Sequence, residues 1–137
     1  MNTFFDTSAF AKRYIFEKGS DAVDDICMAS TSVGLCIICI PELISAFNRK
    51  LREKSISRNE YDIIKRKLTD EIDDTIILNI TPTVVQKSIS LLELNMLRAM
   101  DSLHIACAIE WNADLFVSAD IRQIEAATNY GLQIQHV

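Results

Sequence analysis

Four carboxylates are the side chains of this sequence whose types and positions most clearly suggest chemistry. They come from widely separated stretches of the 137 residues: Asp6, Glu42, Asp101 and Asp120. Carboxylates that cluster repel one another, and they stay ionised together only beside a cation. Ligands that are all oxygen favour Mg²⁺, for which Mn²⁺ can substitute, and such ions orient water and clamp phosphate oxygens during hydrolysis. A cluster of these acids therefore predicts a metal site for phosphodiester hydrolysis.

The elements that must bring these acids together alternate along the chain. Short apolar runs predict strands at 3–5, 33–40, 76–80, 115–117 and 132–137. Amphipathic stretches between them predict helices at about 8–17, 20–30, 42–54, 57–72, 82–95, 100–111 and 121–130. Strands that alternate with helices indicate an α/β fold with a parallel sheet covered on both faces. Because no linker, repeat or low-complexity tract is present, residues 1–137 are predicted to form a single domain.

The predicted topology places the four acids at one edge of the sheet. Asp6 directly follows the first strand, and Asp120 comes shortly after the fourth. Glu42 lies one turn beyond the second strand, and Asp101 begins a helix that leads into the fourth. Ligands of such sheets bind beyond the carboxyl ends of the strands. The sequence therefore predicts that all four carboxylates face one site.

Local capping patterns support the predicted helices. Thr7 and Ser8 are predicted to cap the first helix, and their hydroxyls are candidates to hold Asp6 or a metal-bound water. Ser57 followed by Glu60 has the spacing of a capping box. Two prolines, Pro41 and Pro82, suit the first turns of the helices that they precede.

The cysteines favour a reduced, cytosolic protein. Cys36 and Cys39 have the spacing of half a metal or redox motif, but residues three apart in a strand face opposite sides. They are therefore interpreted as buried apolar residues. None of the four cysteines lies in a loop typical of disulfide scaffolds.

No apolar run approaches the roughly 18 residues of a membrane span, and the N-terminus does not resemble a secretory signal.

Charge is distributed unevenly along the chain. The whole sequence carries a net charge of −5, yet residues 49–67 contain eight Lys or Arg against three Asp or Glu. This basic segment is either a pair of solvated helical faces or a ridge that contacts phosphate or a protein partner. Arg98 stands close to Asp101, and it is a candidate either to contact phosphate or to pair with an acid.

Three stretches, FFDTSAFAKRY, PELISAF and LRAMDSLHIACAIEWNADLFVSAD, resemble the PIN domain, and within it the VapC-type toxins of type II toxin–antitoxin pairs. The resemblance implies a three-layer α/β/α sandwich with a five-stranded sheet in the order 3-2-1-4-5. It implies that the family's four catalytic and metal-binding acids are Asp6, Glu42, Asp101 and Asp120. It also implies that Ser118 stands where the family commonly has a threonine before the last acid.

The same resemblance implies an activity and partners. The activity is that of a Mg²⁺-dependent endoribonuclease in which a metal-activated water attacks the RNA phosphate. The implied partners are RNA, a cognate antitoxin and a second copy of the chain, with no membrane. Arg49 and Arg52 in the basic segment, together with Arg98, are the candidate contacts to RNA or antitoxin.

A PIN-like scaffold without catalysis is the main alternative, although all four acids are present. A phospho-receiver domain is disfavoured, because the third strand ends in Ile80-Thr81-Pro82 and no Lys follows Arg122.

His104 shares a helix face with Asp101 and is interpreted as a satisfied, partly buried histidine. Asp114 is interpreted as a structural turn acid.

Overall fold

The computed structural model describes residues 1–137 and contains one five-stranded sheet in which every pair of neighbours is parallel. The strand order is β3-β2-β1-β4-β5, which confirms the order implied by the resemblance. A parallel sheet needs a crossover between neighbouring strands, and the helices supply it here. The strands are β1 (Asn2–Phe5), β2 (Ser32–Cys36), β3 (Ile76–Leu78), β4 (Leu115–Ser118) and β5 (Ile134–His136).

Seven α-helices connect and cover these strands, and a 3-10 turn at Ala11–Arg13 follows the first of them. The capping box of Ser57 and Glu60 is present, and Pro82 lies in the first turn of its helix, as predicted. No helix is both long enough and apolar enough to span a membrane. The helices are α1 (Thr7–Phe10), α2 (Ser20–Ala29), α3 (Cys39–Arg52), α4 (Arg58–Ile72), α5 (Pro82–Leu94), α6 (Ala99–Glu110) and α7 (Ile121–Tyr130).

The second strand and the first helix are shorter than predicted. The predicted strand at 33–40 is wrong beyond Cys36, because α3 begins at Cys39, two residues before Pro41. The apolar run continues from the strand into the first turn of a helix, where Cys39 is buried, and periodicity does not separate the two elements. The predicted helix at 8–17 ends at Phe10 and continues only as the 3-10 turn. Its N-cap is Asp6, not Thr7 or Ser8.

Two apolar clusters pack on opposite faces of the sheet. Phe4 and Phe116 belong to the cluster beneath α5, α6 and α7. Phe5, Leu43 and Phe47 belong to the cluster beneath α1 to α4. Neighbouring residues of a strand point to opposite faces, so adjacent Phe4 and Phe5 serve both cores. The result is the three-layer α/β/α arrangement. It places the carboxyl edge of the sheet beside the N-terminal ends of α1, α3, α6 and α7.

Candidate active site

A cavity of about 510 Å³ opens at the carboxyl edge of the sheet, and all four predicted acids line it. Asp6 directly follows β1, and its backbone N–H still donates to Val117 O of β4 at 3.1 Å. Glu42 and Asp101 lie in the first turns of α3 and α6, and Asp120 is the N-cap of α7. The cavity is also lined by Thr7, Ser8, Arg49, Arg98, His104 and Gln123.

Asp6 is fully buried and accepts hydrogen bonds on both carboxylate oxygens. Ser8 Oγ lies 2.8 Å from each oxygen, and Ser118 Oγ and Ala9 N lie at 2.7 and 2.9 Å. Burial raises the pKa of Asp6, and it outweighs these hydrogen bonds and the charge of His104, which act in the opposite direction. Ser8 and Ser118 therefore hold Asp6 in place, but they do not neutralise its charge.

Glu42 is held by two side chains from other elements. Thr7 Oγ1 donates to Glu42 Oε1 at 2.7 Å, and His104 Nε2 lies 2.7 Å from the same oxygen. Burial on its own would raise the pKa of Glu42, but the hydrogen bonds from His104 and Thr7 outweigh it and hold the pKa below its ordinary value. Burial would lower the pKa of His104, yet the bond to Glu42 and the charges of Asp6 and Glu42 raise it. The pair is thus favoured in its charged form.

Asp101 has a different partner on each oxygen. Gln123 Nε2 donates to Oδ1 at 3.2 Å, and Arg98 Nε lies 3.2 Å from Oδ2. The side chain of Asp101 is 14% exposed, whereas that of Arg98 is 78% exposed. Of the two interpretations open for Arg98, the structure records the pairing with an acid. Its exposure also leaves it accessible to a ligand at the mouth of the cavity.

The carboxylate of Asp120 is held by the backbone alone. Its Oδ1 accepts from Arg122 N at 2.9 Å, and its own backbone N–H donates to Ser118 Oγ at 2.9 Å. Neither Asp120 nor Asp6 forms an ion pair with any Lys or Arg of the chain. Two of the four carboxylates therefore have no cationic partner within the protein.

The basic segment 49–67 is divided between surfaces. Arg49 lines the acid cavity, and an adjoining groove of about 380 Å³ contains both Arg49 and Arg52 together with Met100. Lys65 and Arg66, one helix further on, line a separate pocket. The two arginines predicted as contact residues thus lie beside the acids, but the segment does not form one continuous ridge.

The donor set at the cavity fits a hard divalent cation in its chemistry. The carboxylates and the neighbouring hydroxyls are all oxygen ligands of the kind that Mg²⁺ prefers. Asp6 is buried and forms no ion pair within the protein, so a bound cation would offset the cost of its charge. As the side chains stand, however, no group of three or more His, Cys, Asp or Glu is arranged to hold a metal ion. Coordination would therefore require carboxylates to exchange hydrogen bonds for the ion.

Some predicted residues have roles other than those expected, and one residue was missed. His104 is satisfied on Nε2, as interpreted, but it is buried and contacts the site, and its Nδ1 has no partner. Cys36 and Cys39 are free and buried, although not as two positions of one strand. Asp114 accepts from Asn2 N at 2.7 Å, as expected of a turn acid. Gln123 contacts Asp101, and no sequence pattern indicated it.

A match to a model of a known protein family identifies the family of this chain. The family model described as the PIN domain matches residues 3–129. The chain belongs to the PIN domain family. No curated protein has a sequence that matches it.

Solved PIN-type structures share the fold at low sequence identity. VapBC2 from Rickettsia felis, solved with a promoter DNA fragment, is 14% identical, with a TM-score of 0.71 over 100% of this chain and 99% of that one. FitAcB from Neisseria gonorrhoeae is 15% identical, with a TM-score of 0.73 over 96% and 95%. Mycobacterium tuberculosis VapC20, described as a sarcin–ricin loop cleaving toxin, is 12% identical, with a TM-score of 0.70 over 90% and 94%.

Proposed function

We propose that this PIN-domain protein is a Mg²⁺-dependent endoribonuclease and the toxin of a type II toxin–antitoxin pair. The observation that carries the proposal is the convergence of Asp6, Glu42, Asp101 and Asp120 on one cavity at the carboxyl edge of the sheet. Burying a carboxylate without an opposite charge beside it costs stability. Acids that lack ion pairs are therefore better explained by binding of a metal ion than by a contribution to the stability of the fold.

We assign different roles to the four acids according to their surroundings. Asp6, Asp101 and Asp120 would hold Mg²⁺, or Mn²⁺ in its place. Glu42 would complete the site or orient a water, since Thr7 and His104 already engage one of its oxygens. When bound, Mg²⁺ lowers the pKa of water and stabilises charge on a phosphate. Ser8 and Ser118 keep Asp6 fixed at the floor of the cavity.

RNA is proposed to enter along the groove beside the acids. Arg49 and Arg52 line that groove, and exposed Arg98 stands at the mouth of the acid cavity. Arginine suits phosphate because its guanidinium donates two parallel hydrogen bonds. The neighbouring structure described as a sarcin–ricin loop cleaving toxin supports RNA as the substrate class.

The proposed partners and location follow from the same neighbours and from the surface. Structures solved as VapBC or toxin–antitoxin complexes support a cognate antitoxin. We also propose a homodimer, for which the exposed apolar residues Val85 and Ile89 on α5 are candidate contacts. Four free cysteines support a cytoplasmic location. We propose that residues 1–137 form one PIN nuclease domain.

The test is RNA cleavage by the chain purified free of antitoxin. We expect cleavage with Mg²⁺, none with EDTA, and a loss of at least about 100-fold in Asp6→Asn and Asp101→Asn, because catalytic carboxylates act as a unit. Asp62→Asn is the control, since Asp62 is an exposed acid on α4 that pairs only with Arg58. If both cavity variants cut as fast as the control, the site assignment is wrong.

A catalytically inactive scaffold is the second candidate, and one observation favours it. No three acidic or histidine side chains are arranged to hold an ion, and Asp6 is saturated by its own hydrogen bonds. Titration calorimetry with Mn²⁺ separates the two functions. If the chain is a nuclease, the parent binds Mn²⁺ and the Asp6→Asn variant does not. A scaffold shows no binding in either protein.

A further inference from the structure

Gln123 is a buried polar side chain whose presence the fold does not explain. It is only 3% exposed, and it lies in the first turn of α7, three residues after Asp120. Its Nε2 donates to Asp101 Oδ1 at 3.2 Å, while its Oε1 is buried without any partner. Burying an amide oxygen in this way costs stability, so a residue retained there requires a reason.

Helix capping does not supply that reason. A glutamine at the third helical position can complete a capping box by accepting the N–H of the N-cap residue. Here the N-cap is Asp120, and its backbone N–H donates to Ser118 Oγ instead. The side chain of Gln123 is directed at α6, to the carboxylate of Asp101. Because a carboxylate only accepts, the amide must present its NH₂ group to Asp101 and leave its oxygen on the other side.

We propose that Gln123 is a positioning residue that fixes the carboxylate of Asp101 for cation binding. By holding Oδ1, it leaves Oδ2 as the oxygen that can change partner. In the structure that oxygen is paired with Arg98, an exposed side chain whose ion pair is easily given up to water or to an ion. The inference rests on the proposed function, and it assigns to this chain an amide that supports a metal-binding acid.

The proposal predicts that metal affinity and stability respond in opposite ways to the loss of the amide. Gln123→Met removes the donor to Asp101 and also removes the unpartnered oxygen, while it keeps the length of the side chain. The metal-free protein should therefore melt at or above the temperature of the parent. Residues that orient a ligand are typically worth 10–100-fold in metal affinity. Mn²⁺ binding should weaken by roughly that factor.

The experiment measures Mn²⁺ affinity by titration calorimetry and melting temperature in EDTA for the parent, Gln123→Met and Asn129→Ala. Asn129 is the matched control, because it is an amide on the same helix that donates to Asn95 outside the cavity. We expect the control to bind Mn²⁺ like the parent. Gln123→Leu is the second variant if the methionine variant does not fold.

The outcomes separate this inference from the proposed function. If the parent binds Mn²⁺ and a folded Gln123 variant binds within twofold of it, Gln123 does not position Asp101 and the inference fails alone. If both Gln123 variants unfold, the residue is structural and the inference again fails alone. If the parent binds no Mn²⁺, the proposed function fails and this inference with it.

Discussion

The imidazole Nε2 of His104 lies 2.7 Å from Oε1 of Glu42, so α6 and α3 are joined by a partly buried pair within the acid cavity. Thr7 adds a second bond to the same oxygen. Glu42 therefore meets a ligand as a carboxylate with one oxygen already engaged, unlike Asp120, which only the backbone holds. Within the proposed site this difference separates these two acids: Glu42 is better placed than Asp120 to orient a water, and Asp120 is better placed to coordinate an ion.

The charge of Glu42 should be visible in the titration of His104. Because that charge and the hydrogen bond raise the pKa of His104, the Glu42→Gln variant should show a lower His104 pKa than the parent. Histidine ring resonances followed by NMR against pH measure the change. The chain has only one other histidine, His136, and it serves as the internal reference. An unchanged His104 titration would mean that the pair does not form in solution.

Asp6→Asn should stabilise the metal-free protein. The folded-state pKa of Asp6 is raised, so its contribution to stability is greatest at low pH and is lost as the pH rises through that value. At pH 7 the asparagine variant should therefore be more stable than the parent, because it buries no charge at this position. Urea unfolding in EDTA at pH 7 and at pH 4 measures this advantage, which should shrink at the lower pH.

Divalent cations should reverse that order. An ion that binds only the folded parent adds stability according to its concentration relative to Kd. With Mn²⁺ in excess, the parent should become more stable than Asp6→Asn, which cannot use the ion. A parent that gains nothing from Mn²⁺, or a variant that gains as much, would contradict the role given to Asp6.

Arg49 and Arg52 should account for part of the salt dependence of RNA binding. Each phosphate contact to single-stranded nucleic acid contributes about 0.7 to the slope of log affinity against log salt. Replacing both arginines with alanine in an Asp101→Asn background should therefore reduce the slope by roughly 1.4. Fluorescence anisotropy with a labelled single-stranded RNA gives the slope. The matched control is Lys65→Ala with Arg66→Ala, on a separate pocket, which should leave the slope unchanged.

Arg98→Ala should bind Mn²⁺ more tightly than the parent, because Arg98 competes with the ion for Oδ2 of Asp101. Exposed ion pairs contribute about 0–1 kcal/mol, so the gain should be no more than about fivefold. If Arg98 also contacts phosphate, the same variant should raise the KM for RNA cleavage. Weaker Mn²⁺ binding in the variant would show that Arg98 supports the cation site and does not compete with it.

The sequence was informative about the acids because parallel sheets leave little freedom at their carboxyl edge. Once Asp6 and Asp120 follow strands, topology alone brings them together. The same logic located Glu42, even though the boundary between β2 and α3 was placed four residues too late. A continuous apolar run is compatible with either element, and only the fold decides where the strand ends.

The contacts that His104 and Gln123 make in the site could not be predicted from the sequence, and the reason is physical. His104 and Gln123 act across helices, on Glu42 and Asp101 respectively. Their partners lie 62 and 22 residues away in the chain, and neither spacing repeats a local pattern. A glutamine in the first turn of a helix predicts a capping box, and here that bond is made by Ser118 instead. Such roles depend on packing between helices, which single-residue preferences do not encode.

A cluster remote from the cavity should govern stability in acid. Arg13 donates to both carboxylate oxygens of Glu71 at 2.9 and 3.2 Å, and Tyr14 OH donates at 2.6 Å. Burial alone would raise the pKa of Glu71, but these hydrogen bonds and the charge of Arg13 hold it below its ordinary value of 4.5. A lowered folded-state pKa gives stability that is present above 4.5 and is lost as the pH falls through the folded value.

Glu71→Gln should therefore be less stable than the parent at pH 7, by about 1.5–3 kcal/mol, which is the range for hydrogen bonds to charged groups. The difference should shrink steadily as the pH falls below 4.5, because the parent then loses the charge that the variant never had. Urea unfolding between pH 7 and pH 3 measures it. Asp62→Asn, in an exposed pair with Arg58, should change stability by less than about 1 kcal/mol throughout. A difference for Glu71→Gln that stays constant down to pH 3 would contradict the ionic role of this cluster.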